Sequence, residues 1–145
     1  MRLTFVKYSM IICIMDALHI PFFLETVSCG FPSPAQDSRE ESLDFNALLF
    51  KHKANTYCLR CSGDSMKLKG IFSGDILVVD RTIRAKNGDV IVAEISGSFT
   101  VKTLLIEGGR AILHAENPAF ADIRVAQEED LILFGVVTAV VRCLR

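Results

Sequence analysis

Six short β-prone segments punctuated by glycine turns constrain this chain more than any other feature. Thr56–Cys61, Asp75–Asp80, Asp89–Ile95, Ser98–Ile106, Arg110–Ala115 and Leu131–Val141 are rich in Val, Ile, Leu and Thr. Gly63-Asp64, Ser73-Gly74-Asp75, Asn87-Gly88-Asp89, Ser96-Gly97 and Gly108-Gly109 supply the turn chemistry between them. Strands this short with turns this regular predict a mainly β, antiparallel, barrel-like domain. Ser96-Gly97 predicts a two-residue hairpin that sends Lys102 back along the returning strand. No internal repeat is present.

The residues ahead of this domain read differently. Residues 1–29 form an apolar arm that ends in the β-prone run Thr26-Val27-Ser28-Cys29-Gly30-Phe31. Residues 30–42 hold two prolines and then polar and charged side chains, and read as a linker without a core. The domain proper is expected over 43–145. A helix is predicted from Leu43 to His52, capped by Asp44, with Phe45, Leu48 and Leu49 on one face.

A chain of 145 residues suits one core-bearing domain and is short for two. Sixteen basic and seventeen acidic side chains leave a net charge of -1, which disfavours direct DNA binding. The five cysteines, Cys13, Cys29, Cys58, Cys61 and Cys143, are irregularly spaced and fit a reducing cytoplasm better than a disulfide framework. Cys58 and Cys61 match C-x-x-C formally, but no second pair completes a zinc site. On a strand, positions i and i+3 also point to opposite faces, so small core residues are the simpler reading. No motif requires a metal or a cofactor. Met10–Met15 resembles the apolar part of a signal peptide, yet the run stops at Asp16, far short of the about 20 residues that span a bilayer. A soluble product with no membrane association fits better.

The chemistry concentrates in two places. Ser62-Gly63-Asp64-Ser65-Met66 reads as a strand end followed by a sharp turn that presents a serine. Most serines beside glycine are only turn residues. Here Gly63 permits the bend, Asp64 and Ser65 can offer adjacent N–H groups to an oxyanion, and Met66 can anchor the turn in the core. Phe99-Thr100-Val101-Lys102 places a lysine within an apolar and hydroxyl-bearing strand. Strand lysines are normally solvated, but this one shares its face with Thr100 and Leu104, and no acid lies within two residues. Burial would favour the free amine. Bringing a lysine from about 10.4 to neutrality takes about 4 kcal/mol, within reach of a buried site. A serine needs a base to become a nucleophile, and an uncharged lysine can serve. His19, His52 and His114 are the rival bases, and none carries a motif with it.

Taken in order, Cys29-Gly30-Phe31-Pro32-Ser33-Pro34, Ser62-Gly63-Asp64-Ser65-Met66 and Phe99-Thr100-Val101-Lys102 resemble the UmuD branch of the LexA-type self-cleaving serine peptidases. Ser73–Asp80 and the closing Phe134-Gly135-Val136-Val137 extend the resemblance, which runs from about Pro21 to the C-terminus. It implies Ser65 as nucleophile, Lys102 as general base, backbone N–H groups of Asp64 and Ser65 as oxyanion hole, and a scissile bond between Cys29 and Gly30. It also implies a homodimer, cleavage promoted by a RecA-type recombinase filament on single-stranded DNA, and partnership with a UmuC-type translesion polymerase after DNA damage.

Three other readings compete. A repressor with the same serine and lysine needs a DNA-binding domain ahead of the cut, and 29 residues cannot hold one. A membrane-associated signal peptidase also uses a serine–lysine pair, but it would need an anchor and usually a proline soon after Met66. Lys67-Leu68-Lys69-Gly70 stands there instead. A non-catalytic accessory module would keep the fold and never cut itself.

Overall fold

The computed structural model describes residues 19–23, 29–30, 40–125 and 131–145. The expected arm and linker lie partly outside these, including Thr26-Val27 and Pro32–Arg39. The chain divides into two units, residues 1–48 and 49–145.

In the first unit, β1 (His19–Phe23) pairs antiparallel with β2 (Glu40–Asp44), with Pro21 opposite Ser42. Residues 40–42, expected at the end of the linker, are therefore part of a strand. The helix predicted over Leu43–His52 is shorter, α1 (Phe45–Leu49). Asp44 caps it as expected: its carboxylate accepts from the N–H groups of Asn46 and Ala47, at 2.8 and 3.2 Å. Pairing in β2 claims Leu43 and Asp44, and a turn follows Phe50 before a 3-10 helix at Lys53–Asn55. The predicted apolar face is not buried, since Phe45 and Leu48 are exposed.

The described residues of the second unit form seven strands. These are β3 (Thr56–Arg60), β4 (Ile76–Asp80), β5 (Val90–Ile95), β6 (Ser98–Glu107), β7 (Arg110–His114), β8 (Ile123–Arg124) and β9 (Leu131–Val141). They form one antiparallel sheet in the order β3-β4-β9-β5-β6-β7-β8. Six of the seven fall within a residue or so of their predicted places. Among the described residues the sheet ends at β3 and β8 without closing, so the expected mainly β, antiparallel domain is present as a sheet and not as a closed barrel.

The sheet is buried on both faces at its centre. Val92 of β5 joins Cys61, Met66, Ile71, Leu77 and Val79 in one cluster, while Ile91 and Ala93 join Leu104, Leu113 and Val136 in another. This is why Val90–Ala93 is an unbroken apolar run rather than an alternating one. β9 serves both clusters through a bulge. Val92 pairs with Gly135 and Ala93 with Leu133, so Phe134 is the extra residue. Leu131 before the bulge and Val136 after it then pack against the same cluster, while Phe134 turns to the other. Gly135 has no alternative residue, because a Cβ there would lie 2.8 Å from both the Asp80 carbonyl oxygen and the Val79 side chain.

Candidate active site

The loop between β3 and β4 begins where their pairing continues past the strand ends. The Cys61 N–H donates to the Asp75 carbonyl and the Gly74 N–H to the Cys61 carbonyl, at 2.8 and 2.9 Å. Gly63 then takes φ of +88°, a conformation that side-chain-bearing residues rarely adopt, and the chain turns. Met66 follows with 2% of its surface exposed, plugged into the cluster around Val79 and Val92. Its carbonyl accepts from the N–H groups of Lys69 and Ile71, which closes the loop. Ser65 is therefore held between a sharp bend and a buried anchor, and is itself only half-buried.

Lys102 arrives from β6. Ser96 and Gly97 both have positive φ, 49° and 78°, and Ile95 faces Ser98 across a two-residue hairpin turn. From there β6 runs back along β5 until Lys102 stands opposite Ile91. Its side chain is 6% exposed, and its Nζ lies 2.9 Å from Ser65 Oγ, 3.2 Å from Thr100 Oγ1 and 3.0 Å from the Val101 carbonyl oxygen. Among the described residues it makes no ion pair. Burial holds its pKa below the ordinary lysine value, while the thiol of nearby Cys61 acts in the opposite sense. All three neighbours are oxygens: as an ammonium Lys102 can donate to each of them, and as a free amine it can donate to two and accept from the serine hydroxyl.

Beside Ser65 lies a cleft of about 350 Å3 lined by Ser62, Gly63, Phe99, Thr100 and Val101 among others. Phe99, 62% exposed, leans edge-on against Phe134 at this mouth. One wall is a strand edge. β5 pairs with Ser98–Thr103 on one side of β6, but β7 pairs only with Thr103–Glu107 on the other. Among the described residues, the Ser98–Lys102 half of β6 thus has a strand neighbour on one side only. No described group accepts a hydrogen bond from the backbone N–H of Asp64 or Ser65.

The other residues singled out in the sequence fall as follows. Cys29 and Gly30 belong to the first unit, where both are exposed. Cys58 is exposed and Cys61 buried, which corrects the reading of both as core residues and agrees with their opposite orientation on the strand. His52 Nδ1 lies 2.6 Å from the Asp80 carboxylate, and His114 Nδ1 lies 2.8 Å from that of Asp122. Neither ring reaches Ser65. The side chain of His19 lies outside the described residues.

Several residues that brace the site carried no signal in the sequence. Asp75, placed there in a turn, is 2% exposed and gripped by Arg142, whose Nε and Nη2 lie 2.6 and 2.5 Å from its two oxygens. Arg142 Nη2 also donates to the Gly70 carbonyl, and the Phe72 N–H donates to Asp75. These bonds strap the loop that follows Ser65. On its other flank, Asn117 Nδ2 donates to the Asp64 carbonyl at 2.9 Å, and the Leu68 N–H donates to the Glu116 carbonyl. Periodicity finds residues that share a face, and these contacts join segments far apart in sequence.

The Peptidase S24-like profile matches residues 21–138. Protein SamA of Salmonella typhimurium is 44% identical over 125 residues, 86% of each chain. Protein ImpA of Escherichia coli is 42% identical over 131 residues, covering 90% of this chain and 88% of its own. Protein MucA of Escherichia coli is 41% identical over 120 residues, 82% of each chain. Such coverage spans both strand systems and the loop that carries Ser65, and the chain belongs to the Peptidase S24-like family as a UmuD-like protein of SOS mutagenesis.

Proposed function

We propose that this protein cuts its own arm between Cys29 and Gly30, with Ser65 as nucleophile and Lys102 as general base. One observation carries the reading: a buried amine with no carboxylate partner among the described residues sits 2.9 Å from a serine hydroxyl on a cleft wall. Ser65 Oγ attacks the Cys29 carbonyl carbon as its proton passes to Lys102 Nζ. The oxyanion is met by the N–H groups of Asp64 and Ser65. As the C–N bond breaks, Lys102 returns the proton to the departing Gly30 amine. Water, deprotonated by the same lysine, then hydrolyses the Cys29 ester and frees Ser65. The one-sided edge at Ser98–Lys102 supports binding of an extended segment as an added strand, and tethering supplies a high effective concentration.

The trimmed chain, Gly30–Arg145, then acts as a homodimer with a UmuC-type translesion polymerase. A RecA-type filament on single-stranded DNA promotes the cut. Family membership supports these roles, and a cytoplasmic location follows from them. No helix among the described residues is long and apolar enough to cross a membrane.

Mass spectrometry of purified protein held at increasing pH tests the cleavage. A fragment starting at Gly30 is expected, formed faster as pH rises through the lowered pKa of Lys102. Ser65→Ala and Lys102→Ala should each slow its formation by at least about 1,000-fold. A Gly30 fragment released by Ser65→Ala at the wild-type rate would show that another group makes the cut.

A further inference from the structure

The peptide unit joining Asp64 to Ser65 is planar and trans, so its C=O and N–H point in opposite directions. Whatever holds the Asp64 carbonyl therefore aims the Ser65 N–H. Two donors hold it: Asn117 Nδ2 at 2.9 Å, from more than fifty residues away, and the Lys67 N–H at 3.2 Å, from within the same turn. The amide of Asn117 is itself fixed, because its Oδ1 accepts from the Ala119 N–H at 3.0 Å and leaves Nδ2 to face Asp64.

The residue before it is tied down on several sides. Glu116 Oε1 accepts from Thr103 Oγ1 at 2.7 Å and lies 3.6 Å from Lys69 Nζ, while its carbonyl accepts from the Leu68 N–H at 2.9 Å. Thr103 neighbours Lys102, and Lys69 and Leu68 belong to the loop after Ser65. One short loop thus links the strand that bears the base to the turn that bears the nucleophile.

We infer that Asn117 is a positioning residue that orients the Asp64–Ser65 peptide so that the Ser65 N–H faces the developing oxyanion. This rests on the Ser65–Lys102 reading above. Donation to the Asp64 carbonyl also polarises that peptide and strengthens its N–H as a donor.

The test compares full-length wild type with Asn117→Ala and Asn117→Asp. Asn117→Asp is isosteric and keeps an acceptor for the Ala119 N–H, but an ionised carboxylate cannot donate to Asp64. Both variants should release the Gly30 fragment about 10- to 100-fold more slowly, less than the loss of an oxyanion donor outright. In Asn117→Ala, which adds no charge, the pH at which cleavage rises should not move, and in both variants the Asp64 carbonyl carbon should shift upfield in NMR spectra as it loses its donor. Cleavage within twofold of wild type by folded Asn117→Asp overturns the inference, even where Asn117→Ala fails to fold. A displaced pH rise in Asn117→Ala, or an unmoved Asp64 carbonyl in either variant, also overturns it, since either places the defect elsewhere. Ser65→Ala and Lys102→Ala run alongside. Cleavage by either at the wild-type rate sinks the underlying reading, a result separate from that of Asn117.

Discussion

Lys102 and Arg142 are both basic side chains set against the same β3–β4 loop, and the fold treats them in opposite ways. Arg142 closes on Asp75 through two nitrogens, stacks 4.4 Å over the Phe72 ring and donates to the Gly70 carbonyl. That hydrogen bonding lowers the Asp75 pKa to about 2 and raises that of Arg142. Lys102 is buried with only neutral oxygens around it, and burial lowers its pKa. A buried charge is ordinarily paired, because desolvation otherwise penalises it. Among the described residues the fold pairs the cation that fixes the loop and leaves unpaired the side chain that, in the proposed cleavage, must lose its proton. Guanidinium cannot serve as the base at all, which makes the two residues non-interchangeable.

Giving Lys102 the partner it lacks should have the largest effect. Thr100→Asp places a carboxylate where Oγ1 now lies 3.2 Å from Nζ. It should hold the ammonium form, cut cleavage at neutral pH about 10- to 100-fold, and move the pH rise about 1 to 2 units alkaline. Rates of Gly30-fragment release across pH measure both, and an unmoved profile would show that Lys102 is not the titrating base.

Taking the partner from Asp75 should come next. Arg142→Met leaves a buried carboxylate without its cation, and the melting temperature should fall by about 5 to 10 °C near neutral pH. The sign with pH follows from the lowered carboxylate pKa. The pair stabilises the fold above the ordinary value of 3.8 and ceases to do so as pH falls toward about 2. Calorimetry should therefore show wild type and Arg142→Met converging over that acid range.

The smallest expected effect on stability is a gain. Lys102→Met removes an amine whose protonated form is disfavoured in the fold, and should raise the melting temperature by about 2 to 4 °C at neutral pH while abolishing cleavage. The unfolded chain binds that proton more readily than the folded one. The destabilisation is thus complete below the folded pKa and disappears above the unfolded value. The gain from Lys102→Met should shrink as pH rises toward 10.5. A melting temperature that falls instead would mean that Lys102 contributes net stability.

How far the sequence disclosed these regions depended on the range of the interactions involved. Thr56–Cys61, Ser98–Ile106 and Leu131–Val141 were legible because alternation and turn chemistry are local. Ser96-Gly97 announced its hairpin for the same reason. The helix at Leu43–His52 was overdrawn because its first two residues pair with β1, a partner that no local pattern reveals. Cys58 read as core and lies exposed, since β-prone composition does not say which face of an edge strand is covered.

By itself, the sequence determined the strands, their turns, and the two residue types that could form a base and a nucleophile. Only the tertiary structure decided that the sheet stays open, that β9 carries a bulge at Phe134, and that Arg142 and Asn117 brace the loop around Ser65. It also decided the 2.9 Å separation between Ser65 and Lys102, 37 residues apart in the chain. The reason is physical. Backbone conformation follows from neighbours a few residues away, whereas burial and the pairing of charge depend on which distant segments come to share a volume that excludes water.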